Sequence, residues 1–276
     1  MVFDPHQRHA YETAYTGVEE RFAFPDPKIL DGWSPSLGGL VLSVGAGAGR
    51  DLWHLTSQAH VHAIDFASSG LRVASRHDLR SVRADVTRGL PYRDGVFELV
   101  ILKDIVEHLL DPETLVREVR RVLRPGGRVI VSVPNHFYLP FRIRLLLGGG
   151  LIWKSLGHDH TAIFEEWNYM HLRFFTYRGF RRFLEKVGLD PERFFWDFGT
   201  LAHYNQPEMI LGAQLEKQRQ GLPLSRRGRL GLAILDPAYR VFNLVFPKAL
   251  RHAIVSRAPG LLCAGFYVRC RFRPTG

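Results

Sequence analysis

Short apolar runs alternate with helix-like segments in the middle of the chain, between residues 40 and 135. The runs at 41–44, 61–65, 81–86, 97–102 and 128–135 have the length of strands, and the fourth is almost continuously apolar, as in a buried parallel strand. A helix is predicted over 112–123, because Asp111 and Pro112 are typical of a helix start and apolar residues recur on one face. This alternation predicts an α/β fold in which five β-α repeats build a parallel sheet.

The C-terminal half continues the alternation less regularly. Thr176 is a suitable N-cap for a helix that ends near Val187, residues 193–199 are a predicted sixth strand, and residues 265–272 alternate like a last strand. We expect three regions. Residues 1–39 form a helical cap, residues 40–199 form a core with a substrate insertion at 136–175, and residues 200–276 add a basic and apolar helical insertion before the last strand.

Three glycines at alternate positions, Gly45, Gly47 and Gly49, follow the first strand, and an apolar helical pattern (Leu52, Leu55) comes next. Glycines at the end of a buried strand indicate a turn where the backbone approaches a ligand closely, because a Cβ would collide with it. The dinucleotide fingerprint Gly-x-Gly-x-x-Gly is not met, since its third glycine is replaced by arginine. The loop therefore predicts a nucleotide-like cofactor without a pyrophosphate.

An acidic residue is expected at the end of the second strand if a ribose is bound, and Asp65 lies there, about twenty residues after Gly45. A carboxylate can accept hydrogen bonds from both ribose hydroxyls. The alternative is an ordinary surface aspartate before a helix that begins near Ala67 and is capped by Ser68 or Ser69. Because the glycine loop precedes it at the right distance, we favour the ribose interpretation.

The glycine loop resembles motif I of the class I S-adenosylmethionine-dependent methyltransferases. Residues 106–135 resemble the region after this motif in the methyltransferase type 11/23 group, and residues 171–189 resemble a downstream signature of one bacterial branch. Members of that branch methylate sugars, lipid-linked glycans and quinone-like or polyketide-like small molecules. The resemblance covers residues 41–189 and implies a Rossmann-like, seven-stranded, mostly parallel sheet with helices on both faces and an antiparallel last strand.

The resemblance also implies S-adenosyl-L-methionine as the cofactor. Asp85, after the third strand, stands where family members hydrogen-bond the adenine amino group. Ser43 departs from the family, which usually has an acid there to hold the amino group of the methionine end; either Ser43 and nearby carbonyls substitute for it, or the affinity is lower. The cofactor-binding residues so implied are Gly45, Ala46, Gly47, Gly49, Asp65, Phe66, Asp85, Val86, Lys103 and Tyr15.

Candidate catalytic residues follow the fourth strand, where open α/β sheets place their sites. An imidazole exchanges protons near physiological pH, so His108 is a candidate general base, and Glu107 and His171 are the other catalytic candidates. The alternative is that His108 caps a loop and bonds a carbonyl group.

A metal site is the alternative use of the same residues. Asp104, Glu107 and His108, together with His171, resemble the metal-binding arrangement of the small-RNA 2′-O-methyltransferases and of the ubiquinone-pathway O-methyltransferases. Such a set could hold a divalent ion that orients a diol or catechol oxygen and lowers its pKa. Glycan-modifying relatives keep the Glu-His pair without a demonstrated metal, so we expect none here.

The leading hypothesis is an enzyme that transfers a methyl group to an oxygen, rather than a nitrogen, of a small molecule, sugar or lipid-linked glycan. The alternatives are a metal-assisted RNA 2′-O-methyltransferase, a quinone-pathway O-methyltransferase, and a non-catalytic protein that binds the cofactor and regulates a partner. No run of Lys and Arg interleaves with aromatic residues as single-stranded RNA binding requires, so we do not expect a nucleic-acid partner.

The distribution of charge suggests a further role for the C-terminal end of the chain. The 276 residues carry a net charge of +10, and no apolar run resembles a signal peptide or a membrane span, which predicts a cytoplasmic protein. Basic and apolar residues mix at helical spacing over 226–260, a pattern compatible with peripheral docking at the inner membrane surface. An amphipathic helix that packs on its own domain has the same pattern, and we favour that interpretation.

Overall fold

Seven strands in one sheet form the centre of the molecule. The computed structural model describes residues 36–148, 171–195, 218, 221, 223–224, 226–245 and 248–274, so the expectations for Tyr15, for most of the helical cap and for residues 149–170 of the insertion lie outside it. The strands are β1 (Leu40–Val44), β2 (His60–Asp65), β3 (Arg80–Arg83), β4 (Phe97–Lys103), β5 (Leu123–Pro134), β6 (Leu189–Phe194) and β7 (Gly265–Phe272). The helices are α1 (Ser68–Arg76), α2 (Pro112–Val122), α3 (Leu139–Leu146), α4 (Tyr177–Lys186), α5 (Arg226–Val245), α6 (Lys248–Arg257) and α7 (Pro259–Leu262).

The strand order is β3-β2-β1-β4-β5-β7-β6. Every pairing from β3 to β5 is parallel, whereas β7 runs antiparallel to both of its neighbours. This arrangement confirms the predicted Rossmann-like sheet with an antiparallel last strand. Because parallel strands end at the same edge, the loops after β1, β2 and β4 are brought together there.

Helices cover both faces of the sheet, as predicted. Val44 and Leu102 belong to the core that α2 and α4 cover, whereas Val41 and Leu99 belong to the core on the other face, with α1. Both central strands are therefore buried on both faces, which explains their apolar composition.

Helix α2 begins as its sequence predicts. The carboxylate of Asp111 accepts a hydrogen bond from the backbone N–H of Thr114 at 3.1 Å, and Pro112 occupies the first turn. Its buried residues fall on one face: Leu115, Val116, Val119 and Val122. Helix α4 begins in the same way, because Thr176 Oγ1 accepts the N–H of Gly179 at 3.0 Å.

The helix predicted after the glycine loop is wrong, since the chain forms only a 3₁₀ turn, Trp53–Leu55. The N–H groups of Leu52 and Leu55 bond to carbonyls three residues back, which closes tight turns instead of α-helical ones. The proposed serine caps of α1 are also wrong: Ala67 is the N-cap and makes no side-chain bond.

Two strand boundaries differ from the prediction. β5 begins at Leu123, five residues earlier than predicted, and its register against β4 shifts between Phe97 and Leu99. β6 covers Leu189–Phe194 instead of 193–199, because it pairs with β7 directly after α4 ends. Residues 196–199 of the predicted strand lie outside the described ranges.

The two C-terminal helices differ in the burial of their apolar residues. Val255 of α6 is buried in the core, as expected, whereas Leu230, Ile234, Val241 and Leu244 of α5 are all exposed, so this face of α5 is not buried against the domain. Among the helices that the structure describes, none is long and apolar enough to cross a membrane.

Candidate active site

The loop after β1 is held against the end of β2. The N–H groups of Gly45 and Ala46 both bond to the carbonyl of Ile64, at 2.9 and 3.1 Å. Gly45 has a φ of 69°, and a Cβ there would collide with the Ile105 side chain from the loop after β4. Only glycine combines this conformation with so close an approach.

Asp65 closes the loop from the end of β2. One of its carboxylate oxygens accepts the N–H of Gly47 and the other accepts the N–H of Ala67, both at 2.8 Å. A carboxylate has about four acceptor positions, so it can accept further hydrogen bonds from ribose hydroxyls. The structure thus holds Asp65 beside the glycine loop.

Asp85 begins a 3₁₀ turn after β3, where its carboxylate accepts bonds from Thr87 N–H at 3.1 Å and from Thr87 Oγ1 at 2.6 Å. The next residue, Val86, is buried in the core under α2. Phe66 follows Asp65, and its carbonyl accepts a bond from Arg83 Nε at 3.0 Å. These three predicted cofactor residues therefore follow the neighbouring strands β2 and β3.

Lys103 ends β4 and lies 3.7 Å from the carboxylate of Asp51, measured from Nζ to Oδ2. Asp51 is buried and was not among the predicted residues, although its position two residues after Gly49 is a signal that could have found it. Ser43, which stands where the acid was expected, is buried inside β1, and Asp51 is the first acidic residue after the glycine loop in the sequence.

The residues present fit an adenosyl cofactor. Carboxylates at the ends of β2 and β3 can accept bonds from hydroxyl and amino groups, and the glycine loop after the adjacent strand β1 lets a ligand approach the backbone closely. Acidic groups at this edge also suit a positively charged sulfonium. That the named residues contact the cofactor stays a prediction.

A second cluster surrounds Glu107, in the 3₁₀ turn Val106–His108 after β4. Its side chain is 0% exposed, and neither carboxylate oxygen has a hydrogen-bond partner among the described residues. The backbone carbonyl of Glu107 accepts bonds from Leu172 and Arg173 N–H at 2.8 and 3.1 Å. These two bonds bring His171 to Glu107 from 64 residues away in the chain.

Imidazoles flank the buried carboxyl group. Oε1 of Glu107 lies 3.9 Å from Nε2 of His108 and 4.0 Å from Nε2 of His171. His136, which the sequence analysis missed, lies 2.8 Å from His171, measured from Nε2 to Nδ1. Its position directly after β5, at the edge where the site forms, is the signal that could have found it.

Burial shifts the protonation of this cluster. Burial, and after it the charge of Asp104, raise the pKa of Glu107 well above its usual range, which favours the neutral carboxylic acid. Burial also lowers the pKa of His136 to about 4, so this imidazole is neutral at pH 7. Asp104 itself accepts a bond from Ser132 Oγ at 2.9 Å.

The arrangement of Glu107, His108 and His171 could also hold a metal ion. Glu107, His108 and His171 each offer one ligand atom, and these atoms lie within 4.8 Å of one another. Two imidazoles and a carboxylate suit a divalent transition metal. Asp104, the fourth residue of the predicted alternative, is not in this group of described residues.

The chain is similar in sequence to known methyltransferases. Residues 42–131 match the family model described as "Methyltransferase domain". A ubiquinone biosynthesis O-methyltransferase from Cupriavidus pinatubonensis is 30% identical over 175 residues, which are 58% of this chain and 65% of that protein. A demethylmenaquinone methyltransferase from Mycolicibacterium vanbaalenii is 34% identical over 107 residues, 39% of this chain and 42% of that protein. The chain thus spans less than two thirds of either relative.

A solved structure shares the fold. The complex between a Haloferax volcanii methyltransferase and the Trm112 methyltransferase activator matches 99% of this chain and 100% of the other with a TM-score of 0.55, at 16% identity. At this identity the likeness shows the fold alone, and the match of residues 42–131 to the methyltransferase model carries the resemblance to the class I methyltransferases; the bacterial glycan branch stays a prediction.

Proposed function

We propose that this chain, whose residues 42–131 belong to the methyltransferase domain family, is an S-adenosylmethionine-dependent enzyme that methylates an oxygen of a small molecule, sugar or lipid-linked glycan. The observation that carries the proposal is the buried carboxyl group of Glu107, which lies between two imidazoles and has no hydrogen-bond partner in the part of the chain that the structure describes. Buried polar groups are rarely left without a partner unless they have a function. This cluster lies next to the glycine loop, because Ile105 contacts Gly45.

Some residues of the chain bind the cofactor, and others transfer the proton of the acceptor. Asp65 and Asp85 hold the ribose and the adenine, and the glycine loop allows the close approach. The bound cofactor supplies an electrophilic methyl group on a sulfonium, which leaves as a neutral thioether and needs no acid. Positioning the acceptor oxygen in line with that methyl group accounts for much of the rate.

His108 takes the proton that the acceptor hydroxyl loses as its oxygen forms the new bond to carbon. Glu107 lies 3.9 Å from His108, and a positive charge on this imidazole favours the ionised form of the buried carboxyl group, which then stabilises the imidazolium. His171, 2.8 Å from the neutral His136, is oriented by it and lines the acceptor side of the cluster. Removal of this proton makes the acceptor oxygen a better nucleophile at the place where the methyl group of the cofactor is bound.

The relatives' names support one acceptor class beside sugars and glycans. Two of them act in the ubiquinone or menaquinone series, as their names state. A phenolic hydroxyl of a quinone precursor is therefore the acceptor to test first. Such precursors are apolar, and sugars on lipid carriers are membrane-bound, so we also propose a peripheral position at the membrane surface.

A divalent metal is the second candidate for the Glu107 cluster. The observation in its favour is the distance of at most 4.8 Å between the ligand atoms of Glu107, His108 and His171. An ion held there would supply a Lewis acid for the acceptor oxygen. Removal of divalent metals by a chelator, followed by re-addition of magnesium, manganese or zinc, separates the two uses: only the metal site loses turnover reversibly.

The test is incubation of the full chain with labelled cofactor and a panel of phenolic, sugar and lipid-linked acceptors, read by mass for a gained methyl group. We expect one class to be methylated, and His108→Asn to lower turnover about a hundredfold or more while cofactor affinity stays constant. His60→Asn, an exposed position at the start of β2, is the matched control and should be fully active. Cofactor binding without turnover on any acceptor would favour the non-catalytic alternative.

A further inference from the structure

One face of α5 presents a continuous apolar stripe to solvent. Leu230, Ile234, Val241 and Leu244, with the terminal Val245, are between 56% and 83% exposed. At 3.6 residues per turn these positions fall within an arc of about 100°. An isolated exposed leucine needs no explanation, but five large apolar side chains along one face of a 20-residue helix do.

Positive charge accompanies this stripe. Arg226 and Arg229 are exposed in the first turn of α5, and Arg257 is exposed at the end of α6. By sequence, α5 and α6 together hold one acid, Asp236, against seven basic residues: Arg226, Arg227, Arg229, Arg240, Lys248, Arg251 and Arg257. The partner of this surface is therefore apolar where it meets the stripe and negative around it.

The combination of an apolar stripe with positive charge favours some binding partners of α5 over others. A second copy of the chain would bring the same positive charge, on a protein of net charge +10, against itself. A nucleic acid would satisfy the arginines but would offer the leucines no apolar contact beyond the bases, which bind preferentially to aromatic side chains. A bilayer with anionic headgroups satisfies both, because the stripe enters the acyl boundary while the arginines meet the headgroups.

We infer that α5 docks the protein, lying flat, onto an anionic lipid surface through the stripe of Leu230, Ile234, Val241 and Leu244. The inference extends the peripheral position proposed above and concerns a surface distinct from the Glu107 cluster. A helix of 20 residues is about 30 Å long, so lying flat it supplies an extended line of contact, and α5 is not apolar enough to cross the bilayer.

Vesicle co-sedimentation of the full chain tests this inference. With vesicles of phosphatidylglycerol and phosphatidylcholine we expect binding that falls with salt, and with pure phosphatidylcholine we expect weak binding or none. Leu230→Asp and Leu244→Asp should each lower the partition coefficient at least about tenfold, since each removes a buried leucine from the acyl boundary. Arg226→Gln and Arg229→Gln should each lower it about fivefold on anionic vesicles.

Leu37→Asp is the matched control, because Leu37 is 90% exposed in the turn before β1, and it should leave vesicle binding unchanged. Circular dichroism and cofactor titration of each variant, without vesicles, verify the fold. Absence of vesicle binding by the folded wild type, equal binding to neutral vesicles, or unchanged binding by Leu230→Asp and Leu244→Asp would overturn the inference. A dimer in light scattering that Leu244→Asp dissociates would overturn it in favour of a second copy. Loss of methyl transfer with vesicle binding retained would fault the proposed function alone.

Discussion

At the scale of single residues, two restrictions act on the glycine loop at once. Gly45 needs a positive φ that other residues adopt at a cost, and it also needs the absence of a Cβ because Ile105 fills that space. The first restriction can be inferred from the sequence, since a glycine follows a strand. The second cannot, because the contact comes from a loop 60 residues further along the chain.

Gly45→Ala should therefore destabilise the fold by about 2–4 kcal/mol, of which about 1–2 kcal/mol is backbone strain. Gly38→Ala is the matched control, because Gly38 has a φ of 75° but no described residue has an atom within 4 Å of its Cβ position. Denaturant unfolding measures both. The double variant Gly45→Ala/Ile105→Ala should recover part of the loss; additive effects of the two changes would argue against the collision.

His136 acts through His171, and its effect can be measured separately from cofactor binding. His136→Ala removes the 2.8 Å contact with His171, so we expect kcat to fall about fivefold to tenfold while KM for the cofactor is unchanged. The pH profile of kcat should shift as well, which a purely structural change would not cause. Retention of wild-type kcat and profile would show that His171 needs no orienting partner.

At the scale of elements, α2 is joined to the turn before β4 by one arginine. Arg121 bonds to the carboxylate of Glu118 and to Asp94 Oδ1, at 2.7 Å in each case, and to the carbonyls of Leu90 and Tyr92. Glu118 in turn accepts the N–H of Leu90 at 2.9 Å. These bonds fix the approach of β4 to the sheet, and thus the position of the Glu107 cluster at its end.

Glu118 gives this contact a pH dependence. The hydrogen bond from Arg121, and then that from Leu90, lower the pKa of Glu118 to about 2. Because the pKa is lower in the folded state, the stabilisation is complete above the ordinary glutamate pKa of about 4.3 and is lost as the pH falls towards about 2. After discounting for solvent screening, it is worth about 1 kcal/mol.

Glu118→Gln should accordingly lower the free energy of unfolding by about 1 kcal/mol at pH 6, and the difference from wild type should shrink steadily between pH 4.5 and pH 2.5. Glu113→Gln, on the same helix, is the control, since Glu113 forms its ion pair with the exposed Lys186. Urea unfolding across this pH range measures both. A difference that is independent of pH would contradict the assigned role.

At the scale of the whole molecule, the sequence predicted the sheet far better than the site. Strands β4 and β7 were predicted within a residue because parallel burial leaves an apolar run and the last strand alternates. The helix predicted after β1 does not form, since three glycines with positive φ form tight turns there that an apolar pattern does not reveal. The resemblance grouped Glu107 and His108 with His171, which the structure brings together, but the contact of His171 with His136 joins separate segments and no local pattern encodes it.

The distribution of charge also appears only at this scale. Acidic groups such as Asp65 and Asp85 gather at the carboxyl edge of the sheet, whereas α5 and α6 carry most of their charge as arginine. One surface thus suits a cationic cofactor and another suits an anionic boundary. Net charge alone did not distinguish these two surfaces.

Calorimetric titration of the full chain with S-adenosyl-L-methionine, and with its demethylated product, tests the central claim most directly. We predict saturable binding at one site by the wild type. Asp65→Ala should weaken it about tenfold or more, because a charged hydrogen bond worth about 1.5–3 kcal/mol is lost, while Asp78→Ala, in the turn after α1, should bind as the wild type does. No measurable heat with either ligand, or equal affinity for wild type and Asp65→Ala, would contradict the account.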